Sequence, residues 1–567
     1  MHTRRFVLAG VVAAALGCKQ DAATPPGDPK LDPAAARAAD PSGKPAGKPA
    51  VELSVLYGSE KKTWLEEQIK AWNAGGTALR DGRVIHVTGK AIGSGEAMTG
   101  ILDGSERPTV FSPASGAYVT LLDQAWQSRD SHTRPIAPVG EPLVLSPIVI
   151  AMWKPMAEAL GWPGKPIGWS DILAVSRDPS GWARFGHPEW GTMKLGHTHP
   201  EYSSSGLLAA LAIAYAGAKT TRGLAAADLP KVERFMADVE DAIVHYGKST
   251  GFFSDKMIER GPTYLSAAVL YENLVIESYA RPRPLDLVAI YPAEGTFWSD
   301  HPYSVLDAEW VKPEHREAAA TFLGFLKARP QQERAMALGF RPVDPAIKIG
   351  APIDRAHGVN ALEPQTLLEI PDGATLDALL ETWRRTKKPA DVVLVFDKSG
   401  SMKGRPLDEA KRGAKAFLAT LAASDHVTLM VFDRTVYPAY GPVLLGKAKA
   451  QLEARIDGIS AEGGTALYDA TLAARNLLEA RRKASVHRIR AVVVMTDGAD
   501  TDSRHKLEAT VQGLHGEDGG VAVFTIGYGD EPNAAALQAI ATAGAGSFSK
   551  GSVDTIIQTF RDLASFF

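Results

Sequence analysis

The chain has 567 residues, of which 45% are apolar and 22% are charged, as in a globular protein with several domains. Its formal net charge of −3 and its lack of a basic tract argue against a protein that binds nucleic acid. Its single cysteine, Cys18, excludes an internal disulfide and excludes thiol catalysis in the folded domains.

Residues 1–18 have the order of a secretory signal. Arg4 and Arg5 precede an apolar run over 7–16 that is too short to span a bilayer. Residues 15–18, Ala-Leu-Gly-Cys, resemble a bacterial lipobox, and this resemblance implies that Cys18 is lipidated and anchors the chain in the cell envelope. An ordinary signal peptide with a chance cysteine is the alternative.

Residues 19–50 are rich in Pro, Ala, Asp, Gly and Lys, and Leu31 is their one large apolar residue. Such a segment buries too little surface to fold, so we expect a disordered tether. An extended tether of this length would reach at most roughly 100 Å.

Residues 51–388 alternate strand-like and helix-like stretches. Strands are predicted over 51–57, 84–89 and 108–111, and each is followed by a turn rich in Gly or Ser. The repeat of strand, turn and helix is the pattern of an α/β domain. Two later segments, 142–150 and 297–306, are predicted to cross between a first and a second lobe.

This layout, with the segments 291–298 (Tyr-Pro-Ala-Glu-Gly-Thr-Phe-Trp) and 339–342 (Gly-Phe-Arg-Pro), resembles a type II extracellular solute-binding protein. The resemblance implies a two-lobed, periplasmic-binding-protein-like fold whose cleft closes on a small solute or anion. By position, five serines are expected in that cleft: Ser59, Ser94, Ser115, Ser146 and Ser204. The alternative for each is a helix cap or a turn residue.

The segment 391–396 is a short, mainly apolar run that predicts a strand buried on both faces. Asp397 sits just past the C-terminal end of this strand, where ligands of open α/β sheets bind. Ser399 and Ser401 follow at intervals of two on a tight turn, so the three side chains can converge. Their hard oxygens suit Mg²⁺ or Mn²⁺.

Two further segments end in the same way. Gly463, Gly464 and Thr465 form a flexible loop before a helical pattern, and the buried strand predicted over 490–496 is followed by Asp497. The order is therefore Asp-x-Ser-x-Ser, then Thr, then Asp. The alternative is an ordinary N-cap turn in which these side chains bind helix amides.

This motif resembles the metal-ion-dependent adhesion site (MIDAS) of the von Willebrand factor A domain, over about 390–567. The resemblance implies a doubly wound, Rossmann-like α/β domain that holds Mg²⁺, or Mn²⁺ or Ca²⁺. By resemblance, Ser399, Ser401 and Thr465 bind the cation directly and Asp397 and Asp497 act through water. A carboxylate from a partner protein takes the remaining position.

Four regions result: a signal over 1–18, a tether over 19–50, a solute-binding-like domain over 51–388 and a von Willebrand factor A domain over 389–567. They predict an envelope-anchored, non-enzymatic protein that adheres to a protein partner through a cation, binds no nucleic acid and meets the membrane only through its lipid. The alternative is a transporter-type solute-capture lipoprotein that docks through its C-terminal domain. The sequence has no His-Glu-x-x-His motif and no P-loop, which disfavours an enzyme.

Overall fold

The computed structural model describes residues 49–129, 134–484, 487–514, 521–528, 533–551, 559–560, 563 and 565–567. The predicted signal with Cys18 and nearly all of the predicted tether lie outside these residues. The described chain has two lobes, here called lobe 1 and lobe 2, followed by a C-terminal domain.

Lobe 1 is built on a five-stranded sheet in the order β2-β1-β3-β11-β4. Strands β2, β1 and β3 are parallel, and β11 runs antiparallel to β3. Its strands are β1 (Val51–Gly58), β2 (Ile85–Ile92), β3 (Val110–Ser112), β4 (Glu141–Pro142) and β11 (Pro302–Val305). Its helices are α1 (Lys62–Gly75), α2 (Ser94–Asp103), α3 (Gly116–Gln127), α10 (Pro313–Leu326) and α11 (Arg329–Ala337).

Lobe 2 is built on a sheet in the order β10-β5-β8-β6-β7, with β9 and β12 also paired to β5. Its strands are β5 (Val144–Trp153), β6 (Leu195–Thr198), β7 (Ile243–Gly247), β8 (Ala267–Tyr271), β9 (Leu287–Ile290), β10 (Trp298–Ser299) and β12 (Arg341–Pro342). Its helices are α4 (Lys154–Ala159), α5 (Trp169–Ser176), α6 (Ser204–Ala218), α7 (Leu229–Glu240), α8 (Thr250–Arg260) and α9 (Glu272–Ser278).

The chain passes between the lobes at the two segments that the sequence predicts. Strands β4 and β5 are almost continuous, yet β4 belongs to the sheet of lobe 1 and β5 to that of lobe 2. Strands β10 and β11 make the return in the same way. The two-lobed α/β fold is therefore confirmed.

Helix α12 (Gly373–Thr386) leads from the lobes to the C-terminal domain. Only residues 387–389 separate it from the first strand of that domain. Asp372 caps its first turn by accepting the Thr375 N–H at 2.8 Å. Such a short connection keeps α12 and the C-terminal domain in contact.

The C-terminal domain has a six-stranded sheet in the order β15-β14-β13-β16-β17-β18, parallel except for the edge strand β15. Its strands are β13 (Ala390–Asp397), β14 (His426–Phe432), β15 (Tyr440–Leu444), β16 (Ile489–Thr496), β17 (Ala522–Tyr528) and β18 (Ala545–Gly551). Its helices are α13 (Arg405–Thr420), α14 (Leu445–Asp457), α15 (Leu467–Ala480), α16 (Leu507–Leu514) and α17 (Ala534–Ala543). The predicted doubly wound architecture is confirmed.

Strand β13 is buried along its whole length and separates two helical layers. Val392, Leu394 and Phe396 share a buried cluster with residues of α13, whereas Val393 and Val395 share one with residues of α15. Because successive side chains of a strand point to opposite faces, this division puts a helix on each face. The polar residues of β13, Asp391 and Asp397, lie near its two ends.

Candidate functional site

Five oxygen-bearing side chains lie at one edge of the C-terminal sheet. Asp397 is the last residue of β13, and Asp497 directly follows the neighbouring strand β16. Ser399 and Ser401 lie in the turn after β13, and Thr465 lies just before α15. The carboxyl ends of adjacent parallel strands meet at this edge, as in other ligand sites of open α/β sheets.

Four of these side chains belong to one hydrogen-bonded chain. The Ser399 N–H donates to Asp397 Oδ1 at 2.7 Å, and the hydroxyls of Ser399 and Ser401 are 3.1 Å apart. Ser401 Oγ donates to Asp497 Oδ1 at 2.8 Å. Thr496, the last residue of β16, donates its hydroxyl to Asp397 Oδ2 at 2.5 Å. The turn after β13 is thereby tied to the end of β16.

Thr465 approaches the same space from a third segment. A Cβ atom placed on Gly498 would lie 3.8 Å from Thr465 Oγ1 and 3.9 Å from Ser401 Oγ. The N–H of Thr465 donates to Thr501 Oγ1 and to Asp502 Oδ2, both at 3.0 Å. The structure therefore brings all five predicted residues to one edge of the sheet.

Asp397 and Asp497 bring two carboxylates to this edge of the sheet. Within the described chain, neither Asp397 nor Asp497 forms an ion pair with a lysine, an arginine or a histidine. Burial raises the pKa of Asp397 to about 6, and the charge of Asp497 adds to this rise. Burial also raises the pKa of Asp497. Two carboxylates and three hydroxyls without a counter-charge fit a hard divalent cation.

Lys398 lies inside the motif, but its ammonium group pairs with acidic residues of two other loops and ties those loops together. Its Nζ lies 2.9 Å from Asp433 Oδ2 and 2.7 Å from Glu462 Oε1, and it sits over the ring of Tyr437 at 4.7 Å. The Glu462 N–H also donates to the Lys398 carbonyl at 2.7 Å. This ammonium group therefore holds the loop before Thr465 against the turn after β13.

Asp433 is a part of the site that sequence reasoning missed. Burial alone would raise its pKa, but hydrogen bonds from Lys398 and Tyr437 and the Lys398 charge outweigh burial and lower the pKa to about 2. Its carbonyl accepts the Ala466 N–H at 2.6 Å, next to Thr465. The signal was present, because Asp433 follows strand β14 just as Asp397 ends β13.

The junction between the C-terminal domain and lobe 2 lies at the opposite end of these strands. The Lys388 N–H donates to Tyr246 Oη at 3.3 Å, and His487 Nδ1 lies 2.8 Å from Asp241 Oδ2. Strand β13 has eight residues, which at ~3.3 Å each separate the junction from the site by roughly 23 Å. The edge with the five residues therefore faces away from lobe 2.

The serines expected in the cleft lie between the lobes, but they bind protein groups. Ser204 Oγ of lobe 2 donates to Ser94 Oγ of lobe 1 at 2.9 Å. Ser59 Oγ accepts the Gly251 N–H at 3.2 Å, again across the lobes. The structure thus brings these serines together with each other and with backbone groups.

The other two serines form their hydrogen bonds within a single lobe. Ser146 Oγ donates to Asn273 Oδ1 at 3.0 Å and accepts the Asn273 N–H at 3.2 Å. Ser115 precedes α3 and accepts the Ala117 N–H at 3.2 Å, so it is the N-cap of that helix. The cap is the alternative that the sequence left open for this residue.

Two surface cavities lie away from these residues. One of about 410 Å³ lies on lobe 2 and is lined in part by Trp162, Tyr291 and Arg355. Another of about 510 Å³ lies on lobe 1 beside Trp126 and Trp310. None of the five cleft serines and none of the five residues at the sheet edge lines either cavity.

Comparison with known proteins identifies both parts of the chain. A family model described as bacterial extracellular solute-binding protein matches residues 53–341, slightly more than half of the chain. The chain belongs to this family. A second model, described as von Willebrand factor type A domain, matches residues 391–564. This solute-binding protein family member therefore carries a von Willebrand factor A domain after its second lobe.

Similarity to individual proteins is partial. An uncharacterized protein of Synechocystis sp. is 30% identical over 180 residues, which are 31% of this chain and 41% of that protein. A periplasmic thiamin binding protein aligns with a TM-score of 0.43 and 13% identity over 59% of this chain and 96% of that one. Proximal thread matrix protein 1 from the mussel byssus, solved with a zinc-occupied MIDAS motif, aligns with a TM-score of 0.27 and 20% identity over 35% and 53%. The chain spans less than half of the Synechocystis protein.

None of the helices in the described part of the chain is long and apolar enough to cross a bilayer.

Proposed function

We propose that this protein adheres to a protein partner through a divalent cation held by its von Willebrand factor A domain. Ser399, Ser401 and Thr465 would bind the cation directly, and Asp397 and Asp497 would hold it through water. Mg²⁺ is the expected ion, with Mn²⁺ or Ca²⁺ as substitutes. When bound, the cation supplies a positive centre that attracts the carboxylate of the partner.

One observation carries this proposal: three separate segments deliver five oxygen-bearing side chains to one edge of the sheet, and no described residue supplies a counter-charge to the two acids among them. Hydrogen bonds of 2.5 to 3.1 Å already orient the Asp397 and Ser401 side chains. A site prepared in this way loses little conformational freedom when an ion binds.

The position of the site supports a partner from outside the chain. The edge is separated from the junction with lobe 2 by the length of β13, so the lobes do not cover it. Ser401 is exposed, whereas Asp397 is fully buried beneath it. A carboxylate arriving from solvent would therefore meet the Ser401 hydroxyl first.

We further propose that the protein works in the bacterial cell envelope, anchored by a lipid on Cys18. Membership of an extracellular family supports export, and the tether predicted over 19–50 would hold the folded part away from the membrane. Mass spectrometry of the purified mature protein tests the anchor, because lipidation adds acyl mass to an N-terminal Cys18.

Solute capture is the second candidate function, with the von Willebrand factor A domain as a docking module. Membership of the solute-binding family favours it. A small ligand that binds equally well with Mg²⁺ and with a chelator would support this candidate.

The main proposal is tested by calorimetric titration of Mg²⁺ and Mn²⁺ into the Cys18→Ser protein. Asp397→Asn removes one charge and is expected to abolish binding, whereas the matched change Asp408→Asn, on the exposed side of α13, leaves binding intact. The same three proteins are then tested in a pull-down with and without chelator. Equal cation binding by the wild-type and Asp397→Asn proteins would overturn the proposal.

A further inference from the structure

The two lobes meet through their backbones where the family layout predicts a cleft. At the start of α2, the Gly95 N–H donates to the Tyr202 carbonyl of lobe 2 at 3.0 Å. A Cβ on Gly95 would lie 1.9 Å from the Glu201 carbonyl oxygen, and one on Gly93 would lie 2.5 Å from that of Tyr202. Lobe 2 thus approaches so closely that only glycine fits, which leaves no layer for a solute at this point.

Other polar groups between the lobes are also used by the protein itself. Tyr118 Oη donates to the Pro200 carbonyl, and Asn273 Nδ2 of lobe 2 donates to the Glu60 carbonyl of lobe 1 at 3.3 Å. The Ser94–Ser204 and Ser59–Gly251 bonds join the same two surfaces. A solute would have to displace these bonds before it could make its own.

Other buried polar groups lie near the contact between the lobes, and the charged pair among them, Glu60 and Lys61, is joined at 2.9 Å. Tyr271 Oη, Ser299 Oγ and His301 Nε2 are buried and have no hydrogen-bond partner among the described residues. Hydroxyl and imidazole groups of this kind are commonly satisfied by single buried waters.

Helix α12 touches both lobes and therefore spans the line of closure. On lobe 1 it packs against α3, where Gln124 donates to Asp377. On lobe 2 it packs against α6 and α7, and its Trp383 ring lies 4.6 Å from His199. Arg384 Nε donates to Glu201 Oε1 at 2.7 Å, on the same lobe 2 segment that meets Gly95.

We infer that the lobes of this protein stay closed without a solute, with α12 as the clasp, and that the solute-binding-like domain serves as a rigid mount for the von Willebrand factor A domain. The inference goes beyond the adhesion proposal, since it assigns a role to the lobes and not to the sheet edge. It also departs from the hinge motion on which solute capture depends.

The experiment measures the distance between two spin labels, one on each lobe. In the full chain with Cys18→Ser, Lys70→Cys places a label on α1 of lobe 1 and Ala174→Cys places one on α5 of lobe 2, both exposed. A single narrow distance distribution that is unchanged by millimolar phosphate, sulfate or glucose is expected. A broad distribution, or one that any of these probes shortens, overturns the inference.

Two variants test the closure and the clasp separately. Gly95→Val drives a side chain into the Glu201 carbonyl and is expected to lengthen the distance, whereas Gly75→Val, where an added Cβ meets nothing within 4 Å, leaves it unchanged. Asp377→Ala combined with Arg384→Ala removes surface contacts of α12 and is expected to broaden the distribution in a folded protein. A distribution that stays narrow in this double variant overturns the role of α12 as the clasp.

Discussion

The edge of the C-terminal sheet and the surface between the lobes use their polar side chains in opposite ways. At the edge, the buried Asp397 and the half-buried Asp497 form no ion pair with any described residue, so their charge suits a cation from outside. Between the lobes, Ser94 and Ser204 bind each other, and Ser59 binds a backbone N–H of the opposite lobe. The fold of a binding protein therefore indicates where a ligand would bind. Whether this chain still binds a ligand there depends on whether its polar side chains are already hydrogen-bonded to the protein.

The largest effect that we expect is the loss of cation binding at the sheet edge. Asp397→Asn removes the buried charge but keeps the shape, and we expect the affinity for Mg²⁺ to fall at least about 1,000-fold, or about 4 kcal/mol. Calorimetric titration measures it, with Asp408→Asn as the control. An Asp397→Asn protein that binds Mg²⁺ as tightly as the wild type would show that the sheet edge, like the surface between the lobes, does not depend on a ligand from outside.

The second effect is on pH, because burial holds the pKa of Asp397 at about 6, above its ordinary value. In chelator, protonated Asp397 stabilises the fold fully below about pH 4, and this contribution of roughly 3 kcal/mol is lost as the pH rises through about 6. Urea unfolding between pH 4 and 7 measures the free energy of unfolding. Asp397→Asn should make the free energy of unfolding nearly independent of pH over this range. An equally steep dependence in that variant would show that another group titrates.

Cation binding should show the reverse dependence on pH. Protons compete with the cation for Asp397, so the affinity for Mg²⁺ should fall by up to about tenfold for each pH unit below 6. Titrations at pH 5, 6 and 7 measure this dependence. An affinity that is constant over this range would contradict a role for Asp397 in holding the ion.

A further effect concerns the surface between the lobes. Ser94→Ala removes the acceptor for the Ser204 hydroxyl and the Ala114 N–H, and buried groups left unpaired cost about 1–3 kcal/mol. The free energy of unfolding should fall by about 2 kcal/mol, while Mg²⁺ affinity stays the same. Ser115→Ala, which removes only a helix cap, should cost about 1 kcal/mol. A Ser94→Ala protein that loses Mg²⁺ affinity would show that the two regions are coupled.

The smallest effect concerns Lys398, which positions the loop before Thr465 without contacting the five residues through its ammonium group. Lys398→Met keeps much of the side-chain volume but frees Asp433 and Glu462, and we expect about a tenfold loss of Mg²⁺ affinity. Lys403→Met, an exposed change in the same turn, is the control. Equal affinity in the two variants would show that Lys398 does not position the cation site.

The sequence was most informative where one strand carries its own chemistry. The apolar run before Asp397 predicted both the central strand and the end at which ligands bind, because burial on two faces leaves a visible pattern. Asp433 follows β14 in the same way but was missed, since no spacing linked it to Lys398. The pairing of these residues depends on how two loops fold against each other, which is not a local property.

The roles of the serines between the lobes were beyond local reasoning for a related reason. A Ser after a strand looks the same in sequence whether it faces a solute, caps a helix or binds the other lobe. Ser115 caps α3, and Ser94 meets Ser204 from 110 residues away along the chain. Only the docking of complete lobes decides between these outcomes.

The central position of β13 has a mechanical consequence. A partner held at its carboxyl end would pull against the lobes, which are joined to its amino end through residues 387–389. The load would then run along the strand, while the hydrogen bonds to β14 and β16 on either side lie across it. Both ladders would be sheared as a whole and not unzipped bond by bond, so the domain would resist tension applied in this direction.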